Sequence, residues 1–203
     1  SKVEKLLPTI GFDPEEADRL VGDFSGGWQM RVALGKILLQ SPNLLLLDEE
    51  LMNQVLSAAN NCLQSIKNGG KIIFCGNGGS FADAQHLSAE FTSRFMFNRP
   101  ALASIALGTN SSSMSAIGND YGYEDIFLRQ LKVYGKSGDI LVGISASGNS
   151  QNLINAFEYA SSAEIKTVAL TAFDGGKMKE IADQGIHIPT GNKEYGPAED
   201  LHM

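Results

Sequence analysis

The stretch Lys71-Ile72-Ile73-Phe74-Cys75-Gly76-Asn77-Gly78-Gly79-Ser80 decides the fold that we predict for this chain of 203 residues. Its first half is a short apolar run with the length of a buried strand. Its second half is a glycine-rich turn, and the residues after it, 81–95, have the pattern of a helix. A strand that leads through a tight turn into a helix is the beginning of a βαβ unit.

The same alternation continues along the chain. We predict strands at residues 101–107, 139–144, 166–170 and 185–188, and helices at 112–117, 124–133, 151–161 and 177–183. Strands separated by helices of these lengths indicate an α/β fold, a parallel sheet flanked by helices. Ligands of such sheets bind at the carboxyl ends of the strands.

The segment before the deciding stretch is predicted to be a helix that starts near Leu51. Its apolar residues recur at spacings of three and four and form one stripe. They are Met52, Val55, Leu56, Ala59, Cys62, Leu63 and Ile66, and Asn68-Gly69-Gly70 ends the helix.

Residues 1–50 have a different character. They indicate a short helix, a loop, a helix at 28–40 and a buried strand at 44–47, followed by Asp48-Glu49-Glu50. The pattern restarts at Leu51, so we predict two parts, residues 1–50 and 51–203.

Composition excludes several classes of protein. The formal net charge is −7 and no run rich in Lys or Arg occurs, which argues against binding to nucleic acid. No apolar run approaches the length of a membrane span. Two cysteines, Cys62 and Cys75, do not make a disulfide framework. We expect a soluble protein of the reducing cytoplasm.

Two turns carry the residues suited to a phosphate group. We call Gly76–Ser80 the glycine turn and Ser145-Ala146-Ser147-Gly148-Asn149-Ser150 the serine turn. Each joins a predicted strand to a predicted helix, where backbone N–H groups and the helix dipole favour an anion. The alternative is a pair of ordinary connecting turns. No Walker lysine is present, so a nucleoside triphosphate is not expected.

His86 and Glu90 follow the glycine turn on one predicted helix. Their i, i+4 spacing puts both side chains on one face. An imidazole and a carboxylate so placed bind a metal or share acid–base work. A surface pair without function is the alternative.

Together these motifs resemble the sugar isomerase (SIS) family, and in particular the phosphoheptose isomerases. The motifs are Cys75–Ser80, Asp83-Ala84-Gln85-His86, Glu90, Arg94, Asn98-Arg99-Pro100, Gly118-Asn119-Asp120-Tyr121-Gly122 and Gly143–Ser150. The resemblance implies a flavodoxin-like three-layer sandwich. It also implies that sedoheptulose 7-phosphate and D-glycero-D-manno-heptose 7-phosphate are interconverted through an enediol.

The resemblance implies a role for each matching residue. The substrate contacts would be Asn77, Gly78, Gly79, Ser80, Asn119, Asp120, Ser145, Ala146, Ser147, Ser150 and Glu199, with Ala146 where many relatives have Thr. The ligands of one zinc ion would be His86, Glu90 and Glu199, and the catalytic pair would be Glu90, as the base, and His86. Glu199 stands where the family has Gln.

Two further expectations come from the same resemblance. The family's last histidine ligand and general acid falls beyond Met203, so we expect a site that lacks it. Related isomerases are tetramers, so we expect a homo-oligomer with a phosphorylated seven-carbon sugar as its ligand. If the site is incomplete, the alternative is a protein that binds the phosphosugar without turning it over.

Residues 1–49 resemble a fragment of an ABC-F type ATPase. Ser25, Gly26 and Gly27 match its signature loop, and Asp48 and Glu49 match its Walker B pair. Because no Walker A motif accompanies them, ATP hydrolysis is not expected, although an ATP-binding fragment is a third alternative. The abrupt join near residue 50 suggests the hypothesis of a chimera.

Overall fold

The structure is a computed structural model that describes residues 49–94 and 98–190. Its elements alternate along the chain as predicted. In order they are α1 Glu49–Lys67, β1 Ile72–Gly76, α2 Gly79–Thr92, β2 Ser104–Ala106, α3 Ser111–Asp120, a 3-10 turn Tyr123–Asp125, α4 Ile126–Tyr134, β3 Ile140–Ser145, α5 Gln151–Ser162, β4 Lys166–Ala172, α6 Gly176–Ile181 and β5 Gln184–Ile188. The predicted boundary at residue 50 lies at the edge of these ranges and stays a prediction.

The five strands form one parallel sheet in the order β2-β1-β3-β4-β5. This confirms the predicted α/β class. Strand β2 is shorter than predicted, because only three residues, Ser104–Ala106, pair with β1 at this edge of the sheet. Helix α2 begins two residues earlier than predicted and ends at Thr92.

Helices cover both faces of the sheet, which confirms the three-layer arrangement. Strand β1 shows how, because its side chains alternate between the faces. Ile73 and Cys75 pack in a cluster with residues of α4, α5 and α6. Ile72 and Phe74 pack in a second cluster with residues of α1 and α2. Every residue of β1 is buried, as expected for a central parallel strand.

Helix α1 forms as predicted, but its apolar stripe is split. Met52, Val55, Leu56 and Leu63 are between 39% and 56% exposed. The stripe faces the sheet only at its margin, where Cys62 and Ile66 pack against the second cluster.

Small and polar residues take the side of α1 that is packed on the sheet. Ala58 and Ser65 are buried there, and Ser65 Oγ donates a hydrogen bond to the carbonyl of Gly138. Gln184 Nε2 donates to the carbonyl of Gln54 at 2.9 Å. Most of the apolar stripe of this helix therefore forms an exposed surface that the described residues do not cover.

None of the helices in the described ranges combines the length and the apolarity that a bilayer crossing would need.

Candidate functional site

The two predicted turns meet at the carboxyl edge of the sheet. The glycine turn follows β1 and the serine turn follows β3, and these strands are neighbours, with Gly76 opposite Ile144. The sheet grows in opposite directions from this pair, because β2 lies beyond β1 and β4 lies beyond β3. Such a reversal leaves a crevice between the two following turns, and ligands of open α/β sheets bind there.

The glycine turn brings the start of α2 to the crevice. Gly78 precedes the helix with φ +58° and ψ −122°, a backbone conformation that favours glycine. It makes no side-chain cap, and its carbonyl accepts from the N–H groups of Phe81 and Ala82. Gly78 and Gly79 are exposed and Ser80 is buried beneath them. The N–H groups at the start of α2 would be the donors to an anion here, and this role stays a prediction.

The serine turn offers hydroxyl groups. Ser145 Oγ accepts from the N–H of Gly148 at 3.2 Å, and Ser147 Oγ accepts from the N–H of Asn149 at 3.3 Å. Because each oxygen acts as the acceptor in these bonds, each hydroxyl keeps its own proton to donate. Ser150 is the N-cap residue of α5, and its side chain makes no cap hydrogen bond. Ala146 contributes only backbone, and its carbonyl accepts from the N–H of Ala172.

Helix α6 holds the serine turn in shape, which the sequence did not reveal. Gly148 has φ +62°, and a Cβ atom at this position would lie 1.9 Å from the carbonyl oxygen of Gly175. The carbonyl of Gly148 accepts from the N–H of Met178 at 2.9 Å, and Asn149 Oδ1 accepts from the N–H of Lys177 at 3.1 Å. The signal that was available is the pair Gly175-Gly176 after β4.

The side chain of Asn77 joins the glycine turn to the helix that follows the serine turn. Its amide exchanges two hydrogen bonds with the amide of Asn152 in the first turn of α5, each of 2.9 Å. Asn77 Oδ1 also accepts from the hydroxyl of Tyr123 at 3.2 Å. Asn152 and Tyr123 were not among the predicted site residues.

His86 and Glu90 lie together on α2. His86 Nε2 and Glu90 Oε1 are 3.8 Å apart, and the side chains are 69% and 31% exposed. The guanidinium of Arg99 donates to the backbone carbonyls of Glu90 and Phe91 and so holds the end of the helix. The predicted pairing on one helix face is present.

The chemistry of the pair, one imidazole and one carboxylate, is that of zinc ligands. Nitrogen and oxygen ligands lie about 2.0–2.2 Å from a zinc ion in a tetrahedral arrangement, so two of them are about 3.3–3.6 Å apart. The 3.8 Å separation of His86 Nε2 and Glu90 Oε1 is slightly wider than this. In residues 49–94 and 98–190, no group of three or more His, Cys, Asp and Glu side chains is placed to hold a metal. A small side-chain movement would bring both atoms to one ion, and zinc binding stays a prediction.

Comparison with known proteins gives the family. Residues 43–172 match the family described as SIS domain. The chain belongs to the SIS domain family. Residues 1–51 match the family described as ABC transporter, which agrees with the resemblance of this segment but covers about a quarter of the chain. The chimera stays a hypothesis.

Curated relatives of this SIS protein are phosphoheptose isomerases. Phosphoheptose isomerase 2 of Campylobacter jejuni is 47% identical over 146 residues, which cover 72% of this chain and 73% of that protein. Phosphoheptose isomerase of Aneurinibacillus thermoaerophilus is 47% identical over 159 residues, which cover 78% and 79%.

Solved structures agree with this assignment. The phosphoheptose isomerase of Neisseria gonorrhoeae matches with a TM-score of 0.71 at 38% identity, over 86% of this chain and 91% of that one. A phosphoheptose isomerase from Francisella tularensis matches with a TM-score of 0.73 at 29% identity, over 88% and 93%.

The SIS domain places two further predicted residues apart from the turns. Asn119 and Asp120 end α3, where Asn119 Nδ2 donates to Asp120 Oδ1 at 2.8 Å. They line an open depression of about 580 Å³ together with Ser111, Ser112, Ser115 and Ala116. The hydrogen bonds of the described residues do not join either side chain to the crevice, so their predicted contact with the sugar stays a prediction.

Several predicted residues lie outside the described ranges. They are the third ligand and substrate contact Glu199 and the ABC-like residues Ser25, Gly26, Gly27 and Asp48. Glu49 begins α1, but its side chain is also outside the description.

Proposed function

We propose that this SIS protein is a phosphoheptose isomerase, which converts sedoheptulose 7-phosphate into D-glycero-D-manno-heptose 7-phosphate. The observation that carries the proposal is the crevice between β1 and β3, with a glycine turn on one side and a serine turn on the other. The identity of its relatives, 47% to named phosphoheptose isomerases, supplies the sugar.

The serine turn would hold the phosphate group. The oxygens of Ser145 and Ser147 accept from backbone N–H groups, and each hydroxyl would donate its own proton to the phosphate. Ser150 adds a third hydroxyl at the start of α5, where the helix dipole favours negative charge. Donors without formal charge bind the phosphate dianion and leave it able to dissociate.

Glu90 would move the proton. The ketose has its carbonyl at C2, which acidifies the hydrogens on C1. The carboxylate of Glu90 takes one of them to form an enediol and returns the proton to C2, while a proton passes from the oxygen on C1 to the oxygen on C2. The product is the aldose, and every atom is conserved. A positioned base of this kind contributes about 10²- to 10⁴-fold to a rate.

Zinc is the proposed cofactor, held by His86, Glu90 and Glu199. Support comes from the position of the first two residues on one face of α2, where His86 Nε2 and Glu90 Oε1 are 3.8 Å apart. When bound, the ion would stabilise the negative charge that develops on the sugar oxygens. The polypeptide itself would orient the sugar through the two turns and carry the proton on Glu90.

A homo-oligomer is the proposed assembly, and a cytoplasmic compartment stays our expectation. Met52, Val55, Leu56 and Leu63 form one exposed apolar surface on α1. A second copy of the chain is the occupant that we propose, because contiguous exposed apolar residues of this kind mark association surfaces.

The deciding experiment measures turnover of sedoheptulose 7-phosphate by the whole chain, after chelator treatment and after addition of zinc. We expect turnover with zinc and a loss of about 10²- to 10⁴-fold on Glu90→Gln. The matched control is Glu158→Gln, which removes an exposed carboxylate paired with Lys177. Its rate should equal that of the unchanged protein.

Two results would count against the proposal. The first is no turnover in either condition by a protein whose circular dichroism spectrum is that of a folded chain. Binding of the phosphosugar without turnover, measured by calorimetry, would then be the remaining function. Equal losses from Glu90→Gln and Glu158→Gln would remove Glu90 from the reaction.

A further inference from the structure

The amide of Asn77 has almost all of its hydrogen-bonding capacity satisfied by the protein. A primary amide offers two acceptor positions on its oxygen and two N–H donors. Asn77 Oδ1 accepts from Asn152 Nδ2 at 2.9 Å and from Tyr123 Oη at 3.2 Å, so both acceptor positions are filled. Asn77 Nδ2 donates one proton to Asn152 Oδ1 at 2.9 Å. One N–H remains.

The remaining N–H belongs to a group that stands at the crevice and is accessible. Asn77 is half-buried in the turn between β1 and α2, whereas Asn152 is only 3% exposed. The amide of Asn152 is therefore a fixed support, packed under the first turn of α5. Tyr123 approaches from the 3-10 turn and is well exposed, so its hydroxyl contributes a hydrogen bond and little packing.

We infer that Asn152 and Tyr123 are positioning residues that fix the amide of Asn77 so that it presents an N–H donor to an acceptor oxygen of the bound sugar phosphate. The inference rests on the proposed function, because it gives the chemistry of one contact in that site. It also predicts the direction of the hydrogen bond: Asn77 donates to an oxygen of the ligand and does not accept from a sugar hydroxyl.

A fixed donor binds more tightly than a mobile one, because less rotational freedom is lost when the ligand arrives. An exposed hydrogen bond contributes a factor of about 2 to 10 in an equilibrium constant. Removing the hydroxyl of Tyr123 should therefore weaken binding by about 2- to 10-fold. The turnover rate at saturation should change less, since Asn77 holds the sugar before and after the proton transfer.

The test is a double-mutant cycle. Tyr123→Phe and Asn152→Asp are each made in the unchanged protein and in an Asn77→Ala background, and KM and kcat are measured for sedoheptulose 7-phosphate. In the unchanged background both variants should raise KM about 2- to 10-fold. In the Asn77→Ala background they should have no further effect, because they act through Asn77.

Matched controls separate positioning from general damage. Tyr134→Phe changes an exposed tyrosine at the end of α4, and Asn60→Asp changes an exposed asparagine on α1. Both should leave KM unchanged. An unchanged KM in Tyr123→Phe and Asn152→Asp, or an equal rise with and without Asn77, would overturn the inference.

A second measurement keeps this test apart from the test of the enzyme. If the unchanged protein does not turn over, the proposed function fails, and the side-chain ¹⁵N–¹H signals of Asn77 are read instead. These are identified by their loss in Asn77→Ala. One amide proton should be protected from exchange with water, and Asn152→Asp should remove that protection. Two protons that exchange equally fast in the unchanged protein would overturn the inference.

Discussion

The carboxylate of Asp139 accepts a hydrogen bond from the backbone N–H of Lys71 at 2.9 Å. The same carboxylate accepts from the N–H of Lys136 at 3.0 Å and pairs with the ammonium group of Lys71. The side chain of Asp139 has no exposed surface. Because Lys71 precedes β1 and Asp139 precedes β3, this cluster sets Ile72 opposite Ile140 and fixes the register of the two strands that form the crevice.

Asp139→Ala should lower the free energy of unfolding by about 3–5 kcal/mol, because it leaves buried N–H groups and an ammonium group without their partner. Urea unfolding followed by circular dichroism measures this change. Glu158→Ala is the control, since it breaks an exposed pair with Lys177 and should cost less than about 1 kcal/mol. Similar losses in the two variants would show that the buried carboxylate has no special role.

Gly148→Ala should distort the serine turn. The added Cβ would lie 1.9 Å from the carbonyl of Gly175, and the backbone at φ +62° is strained for alanine. We expect a loss of more than about 2 kcal/mol in stability and of more than about tenfold in affinity for the sugar phosphate. Calorimetry and urea unfolding measure the two effects. Gly185→Ala in β5, where a Cβ meets nothing within 4 Å, should bind the ligand normally.

The pH dependence of stability should contain a contribution from His187 at the end of β5. Burial lowers the pKa of His187, and the positive charge of Lys179 lowers it further, while Asp174 and Thr171 oppose the change. The unfolded chain therefore binds the proton more readily than the folded one. The contribution of His187 is complete above its usual pKa of about 6.5 and is lost as the pH falls below it.

His187→Gln should make stability less sensitive to acid. Urea midpoints at about pH 7.5 and pH 5.5 are compared for the variant and the unchanged protein. The variant should lose less between the two values, because one group that binds a proton on unfolding is gone. A larger loss in the variant would mean that the folded state stabilises the imidazolium.

Leu56→Glu should dissociate the proposed homo-oligomer. Leu56 is the most exposed of the apolar side chains on α1, and a buried glutamate at a subunit contact is costly. Sedimentation velocity should show the unchanged chain as an oligomer and the variant as a monomer. Ser57→Glu adds the same charge about 100° around the helix and should remain associated. An unchanged chain that sediments as a monomer would contradict the proposed assembly.

The architecture was predictable because local pattern determines it. Alternating strands and helices gave the parallel sheet, and the turns at Gly76–Ser80 and Ser145–Ser150 could be placed at its carboxyl edge before any contact was known. His86 and Glu90 were predictable as a pair because helical geometry alone sets an i, i+4 contact.

Contacts between distant residues were not predictable in the same way. Asn152 supports Asn77 across 75 positions, and Tyr123 reaches it across 46. Neither residue type signals a site, and only the folded sheet brings them together. The direction of the stripe on α1 was missed for a related reason: periodicity shows that a helix has an apolar face, but it does not say whether that face meets the sheet or another surface.

The bridge between Asn77 and Asn152 links ligand binding to folding. The two turns lie together because β3 pairs with β1, so a chain in which these strands are apart would lack the proposed sugar site. A ligand that binds only the native state stabilises it by about 2.7 kcal/mol at a hundred times its Kd. The supply of sugar phosphate would thus protect the chain from unfolding and proteolysis, and a cell depleted of the metabolite would clear the enzyme faster.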